Sequence, residues 1–293
     1  MPDVRDAAIA RLRRDLLEVI PDQSEVILVH SGLFGFANRL PVPAREIPGI
    51  VLEVLDDIVG PARTLVMPTY FFGFPRVKVF DDVATRPDTG VIAEMFMKQP
   101  DVRRSAQPMN SYAVRGARSD ELLSRLCTTA WGKDGIMAWF YELDARFVSL
   151  GVGSLLSCSY YHMAEQWEGV PYRYFKRFIG ERRHDGAVVG VCSEVMYVRP
   201  LGYSFDFLGV PVDELMDARG LKKRPDDASG VIMESMSMRD IIHTSQEILR
   251  DDVYAMVTPP YRDGLKQWIA DGHLAEEIAG VPEVQRFDPA DVV

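Results

Sequence analysis

The sequence predicts an α/β fold, layered αβα with a mixed central sheet. Three observations carry this reading. Strand, small-residue loop, helix and strand alternate through the first 70 residues, as in parallel strands joined by helical crossovers. A further apolar strand lies at 147–152. Residues 187–198 alternate well enough to be an antiparallel strand, so the sheet is not purely parallel.

Each element has its own warrant. In 4–20, Val4, Ala7, Ala8, Leu12, Leu16, Val19 and Ile20 recur at helical spacing, and Pro21 ends the run. Glu25-Val-Ile-Leu-Val-His30 suits a buried strand and leads into the small-residue loop Ser31-Gly-Leu-Phe-Gly35. A helix at about 45–59 closes at Gly60-Pro61, and Thr64-Leu-Val-Met67 is a strand stopped by Pro68. Residues 71–88 are rich in aromatics, glycine and proline and read as a long functional loop. There follow a helix near 90–97, a strand at 112–115, a helix at 121–126 and the strand at 147–152. Two more helices are expected near 237–251 and 261–271. With no repeat or composition break, a single domain is expected over 1–281, followed by a frayed tail at 282–293.

Composition narrows the function classes. The 293 residues, 47% hydrophobic and 26% charged, are in globular proportions. A formal charge of −10 with no basic run argues against nucleic acid as a partner. The amino terminus is charged and amphipathic, and no apolar run reaches membrane length, so a cytoplasmic protein without a membrane partner is expected. Cys127, Cys158 and Cys192 fit neither a disulfide framework nor a zinc site. The five histidines lack metal-ligand spacing, so no metal is expected.

The segment running from Leu150-Gly-Val-Gly153 to His162-Met-Ala-Glu165 is the most informative. A three-residue helical step sets imidazole and carboxylate on one face, the layout of a general base with an orienting acid. The same spacing is common in surface pairs, and its neighbours decide between the two. Ser31, Gly32 and Leu33 follow a strand, where backbone N–H groups can face a ligand; neither a P-loop nor a dinucleotide fingerprint is present. Thr69 and Tyr70 end the second strand, the usual location of sites in α/β sheets. Pro108 imposes extended backbone at Gln107, which can present Arg104 and Ser105 to a ligand or leave Arg104 in solvent. No Gly-x-Ser-x-Gly elbow is present.

The ordered pieces are Val29-His-Ser-Gly-Leu33, Val59-Gly-Pro-Ala-Arg-Thr-Leu-Val-Met-Pro-Thr-Tyr70, Pro87-Asp-Thr-Gly-Val-Ile-Ala-Glu94, Val102-Arg-Arg-Ser-Ala-Gln-Pro108 with Ser111, Leu150-Gly-Val-Gly153 and His162-Met-Ala-Glu165. Their succession resembles the aminoglycoside 3-N-acetyltransferase, or antibiotic N-acetyltransferase, family over roughly 25–178. The resemblance implies a fold distinct from GNAT acetyltransferases and acetyl-CoA or another short-chain acyl-CoA as co-substrate. It also implies a primary amine of an amino sugar or related metabolite as acceptor. On that basis His162 and Glu165 are catalytic, Ser31, Gly32, Leu33, Arg104 and Ser105 contact CoA, and Thr69, Tyr70 and Glu94 contact the acceptor. The expected partners are thus a small-molecule amine and, at most, a second copy of the chain in a homodimer.

This chain has Gln107 where the family usually has His before the proline, and Gln cannot titrate. The region from about 180 to 281 departs from the resistance enzymes and is assigned to the acceptor side. Three functions therefore stand: an amino-sugar or metabolite N-acyltransferase, an aminoglycoside resistance enzyme, and a non-catalytic CoA- or sugar-binding relative. Thioesters are already activated, so direct attack by the amine, with His162 as base, needs no acyl-enzyme on Cys158.

Overall fold

In the computed structural model, residues 4–36, 39–154, 158–226 and 230–288 are described. The chain opens with α1 (Val4–Val19), β1 (Val26–Ser31), a 3-10 turn (Leu33–Phe36), α2 (Ile47–Val59) and β2 (Thr64–Pro68). It continues through α3 (Phe74–Val77), β3 (Val79–Asp81), α4 (Val91–Met97), β4 (Arg103–Arg104), β5 (Tyr112–Gly116), α5 (Ser119–Leu123), α6 (Ile136–Glu142) and β6 (Arg146–Leu150). The remainder comprises α7 (Tyr161–Glu168), β7 (Tyr174–His184), β8 (Ala187–Val198), α8 (Val210–Ala218), β9 (Met233–Ser237), α9 (Met238–Asp251), α10 (Pro259–Ala270) and α11 (His273–Ala279).

The apolar run of β1 is buried on both faces because it sits inside a six-stranded sheet of order β4-β5-β2-β1-β6-β9. It pairs in parallel with β2, Leu28 opposite Val66, and with β6, Leu28 opposite Phe147. Strands β5 and β9 run antiparallel to β2 and β6, so the sheet is mixed. The two-residue period of a strand divides the core. Ile27 and Val29 face a cluster with Leu12 and Leu16 of α1, Val51 and Leu55 of α2, and Phe96 of α4. Val26 and Leu28 face the opposite cluster, with Phe140 of α6, Met163 of α7 and Ile242 of α9. That is the αβα layering expected from the sequence.

A second sheet of order β3-β7-β8 accounts for segments that the pattern left irregular. β7 reads Tyr-Phe-Lys-Arg-Phe-Ile-Gly-Glu-Arg-Arg-His, whose charges hide its alternation. It is held instead by an antiparallel ladder with β8. The turn between them is Asp185-Gly186, with φ of 47° and 80°, the left-handed pair that matches the twist of a two-residue hairpin. Short β3 joins β7 in parallel, so 71–88 contains a helix and a strand and is not one long irregular loop.

The carboxyl-terminal region also contributes to the main core. β9 completes the six-stranded sheet, and Met236 and Ile242 lie in the same cluster as Phe147. Of the segment expected to fray, 283–285 form a 3-10 turn and Phe287 packs on Phe175, with ring centroids 5.7 Å apart. Residues 289–293 lie outside those described. Among the described residues no helix is long and apolar enough to cross a membrane.

Candidate active site

Helix α7 begins just beyond the glycine-rich end of β6, and its three-residue step brings His162 and Glu165 together: Nδ1 lies 2.5 Å from Oε2. Glu165 is fully buried, and its other oxygen accepts the Tyr172 hydroxyl at 2.8 Å. Arg173 places Nη2 3.0 Å from Oε2 of the same carboxylate and 3.2 Å from His162 Nδ1. A guanidinium only donates, so the contact that binds Arg173 is the one to Glu165. Nδ1 then carries the imidazole proton toward Glu165, and Nε2 is left with the lone pair.

The surroundings hold the pair in that state. Burial raises the Glu165 carboxyl, but the Arg173 guanidinium, His162 and the Tyr172 hydroxyl more than offset it, holding its pKa down at about 2. His162 is edge-on to Trp131 and Phe207, with centroids at 5.6 and 4.9 Å. Burial and the Arg173 charge lower its pKa from 6.5 against the opposing pull of Glu165. At neutral pH the carboxylate is ionised and the ring neutral, as a general base requires.

His162 lines a cavity of about 620 Å³ together with Ser31, Gly32, Leu33, Tyr70 and Phe207. The loop after β1 reaches this position because Gly35 lies directly on Gly151; a Cβ at Gly35 would come within 2.0 Å of the Gly151 carbonyl oxygen. The Gly32 N–H is committed to the Leu150 carbonyl at 2.9 Å. The N–H groups that open the 3-10 turn, Leu33 and Phe34, have no partner within it and are the donors this loop can direct at a ligand. Cys158 also lines the cavity, but burial pushes its thiol up to about 12, far from a ready nucleophile.

Other residues singled out from the sequence stand behind this wall. The Arg104 Nε donates to Thr69 Oγ1 at 3.1 Å and Ser111 Oγ at 3.0 Å, Nη1 donates to the Thr85 carbonyl at 2.6 Å, and Nη2 bonds the Thr69 carbonyl. Phe80 packs beneath the guanidinium with its centroid 4.8 Å away. Ser105 is buried and accepts the Tyr112 N–H. Arg104, Ser105 and Thr69 therefore tie β2, β4 and β5 together and do not line the cavity. Glu94 is ion-paired with Arg86 and Lys98, each at 2.7 Å, and does not line it either. Tyr70 does, with its hydroxyl 2.7 Å from that of Tyr112 and 3.2 Å from Ser159 Oγ.

Tyr172, Arg173 and Phe207 are the residues that sequence reasoning missed. The Asp-Gly hairpin signal was available and would have revealed β7, whose first residue follows Arg173. Nothing local marks Phe207. Among the described residues, no group of three or more His, Cys, Asp or Glu is placed to hold a metal ion.

The family model described as aminoglycoside 3-N-acetyltransferase matches residues 28–194. The chain belongs to the aminoglycoside 3-N-acetyltransferase family. Aminoglycoside N(3)-acetyltransferase IV from Salmonella sp is 32% identical over 166 residues, spanning 56% of this chain and 60% of that protein. The chain thus matches about three-fifths of that curated relative's length. The crystal structure of aminoglycoside acetyltransferase AAC(3)-IVa, as apoenzyme, is similar with a TM-score of 0.67 and 25% identity, covering 90% of this chain and 96% of that one. A mutant of AAC(3)-IVa in complex with a gentamicin gives a TM-score of 0.64 at 25% identity, over 88% and 93% of the two chains. The mixed sheet is that of this acetyltransferase family, as the resemblance implied, and not a GNAT fold.

Proposed function

We propose that this family member is a CoA-dependent N-acyltransferase that moves an acetyl or other short acyl group from acyl-CoA to a primary amine of an amino sugar or related metabolite. The observation that carries this is the neutral His162, oriented by an ionised Glu165, in the wall of a cavity bounded by the loop after β1. An amine of lysine-like basicity is protonated at neutral pH, and its lone pair must be freed before attack. His162 Nε2 takes that proton, directly or through one water. The amine nitrogen bonds to the thioester carbonyl carbon, the carbonyl oxygen gathers charge near the Leu33 and Phe34 N–H groups, and the C–S bond breaks. His162 releases that first proton to solvent, takes the second proton from the attacking nitrogen as the tetrahedral adduct forms, and passes it to the departing thiolate, so that a neutral amide, a thiol and one solvent proton result. The inert state of Cys158 supports this direct transfer over an acyl-enzyme route.

In this reading residues 1–281 act as one acyltransferase domain in the cytoplasm, as a monomer or homodimer. Phe207 supports an acceptor-side contribution from 180–281. The test is acetyl-CoA-dependent thiol release with a panel of amines, alongside thermal unfolding. Acyl-CoA at about a hundred times its Kd is expected to add roughly 2.7 kcal/mol of apparent stability. No thermal shift at millimolar acyl-CoA would overturn the proposal. A second reading, aminoglycoside inactivation, is favoured by the similarity to the Salmonella enzyme. A raised minimum inhibitory concentration in a sensitive host would select it.

A further inference from the structure

The cavity beside His162 has an uneven chemistry. Among its described lining residues Asp88 is the one carboxylate, and there is no lysine or arginine. Asp88 is already engaged: its Oδ2 accepts the Phe72 N–H at 2.8 Å. Against this single charge stand three phenylalanines, Phe34, Phe72 and Phe207. Phe34 is 94% and Phe72 59% exposed, an unusual state for large apolar rings at the mouth of a ligand cavity. Phe72 is edge-on to Tyr70 at 5.8 Å, and Phe207 is edge-on to the base itself at 4.9 Å.

We infer that the acceptor carries one amine on an otherwise uncharged body bearing an aromatic or alkyl group, and is not a polycation. The inference rests on the acyltransfer reading and names its substrate class. A molecule with several ammonium groups would meet a described lining that offers one carboxylate, already engaged, and so no partner for its further charges. An apolar group, by contrast, gains from covering Phe34, Phe72 and Phe207, and aromatic rings prefer the edge and offset arrangements that these rings leave open. Asp88 beside Gly90 remains able to orient the single ammonium before His162 takes its proton.

The experiment compares p-nitrophenyl glucosaminide, glucosamine and gentamicin in two measurements on the whole protein: acetyl-CoA-dependent thiol release, and calorimetric binding with saturating CoA, which keeps the CoA site filled. The aryl glucosaminide is expected to exceed glucosamine by roughly tenfold or more, the ordinary effect of burying one phenyl ring, and to exceed gentamicin as well. Phe72→Ala and Phe207→Ala should each reduce the aryl advantage over glucosamine. Gentamicin equal to or better than the aryl glucosaminide, or no aryl advantage at all, overturns the inference while leaving acyltransfer standing. Absence of thiol release with every amine overturns acyltransfer instead, and calorimetry then decides the acceptor class by the same ranking.

Discussion

Arg173 Nη2 stands 3.0 Å from Glu165 Oε2, the same oxygen that faces His162 Nδ1 at 2.5 Å. One buried guanidinium therefore governs both members of the pair. It keeps the carboxylate ionised, and its positive charge opposes a second positive charge on the imidazole.

The first consequence concerns the base. His162→Ala is expected to lower turnover by roughly a hundredfold or more, with acyl-CoA affinity little altered, as for loss of general-base catalysis. Raising the pH should partly restore the variant, because more of the amine is then already deprotonated. Near-normal turnover of His162→Ala at neutral pH would remove the residue from the mechanism.

The pH profile tests Arg173. The lowered pKa of His162 means that the ring is protonated only below 6.5, so kcat/KM should rise with pH in that range as the base is freed. Arg173→Gln removes the opposing cation and should move this limb to higher pH. It should also cost about 3–5 kcal/mol of stability, since Glu165 is left buried without its partner. An unmoved limb in a folded variant would show that Arg173 does not tune the base.

Acid stability tests Glu165. Its folded pKa of about 2 lies below the ordinary 4.5, so its ionisation stabilises the fold fully above 4.5 and the contribution is lost as pH falls toward 2. The lowered His162 acts in the same sense: a neutral, half-buried ring favours the fold above 6.5, and that contribution declines as pH falls below it. Glu165→Gln should flatten the unfolding curve between pH 4.5 and 2. An identical pH dependence in the variant would mean that other carboxylates govern acid unfolding.

Cys158 tests the route. A buried thiol held near 12 should resist alkylation in the folded protein, and Cys158→Ala should retain turnover. Trapping of an acetyl group on Cys158 would instead require a two-step mechanism.

Arg104 separates support from contact. Its guanidinium is committed to Thr69, Ser111 and Thr85, so Arg104→Lys, which cannot reproduce the planar fork, should lower the unfolding temperature. The effect on acyl-CoA Kd measured well below that temperature should be the smaller one. A large loss of affinity with unchanged stability would restore direct CoA contact.

Much of this protein could be read locally. The helix at 4–20 and the strands around Val29, Val66 and Val148 follow from apolar spacing, because burial on one or both faces writes a period directly into the chain. His162 and Glu165 were legible together because an i, i+3 step is a local distance. Other features depend on partners distant in sequence. β7 carries five basic residues and is recognised only by its ladder with β8. β9 is a strand through its pairing with β6, Phe147 opposite Met236. The place of Arg104 before a proline left it open between ligand and solvent, and the family resemblance implied contact with CoA; the packing of Thr69, Ser111, Thr85 and Phe80 around it directs its donors inward. By itself, then, the sequence determined the layered fold and the placing of His162 and Glu165 on one helix face, since local spacing encodes both. Only the tertiary structure decided that Arg173 holds the Glu165 carboxylate ionised and that Phe207 packs on His162, because desolvation and charge pairing depend on what long-range folding brings together.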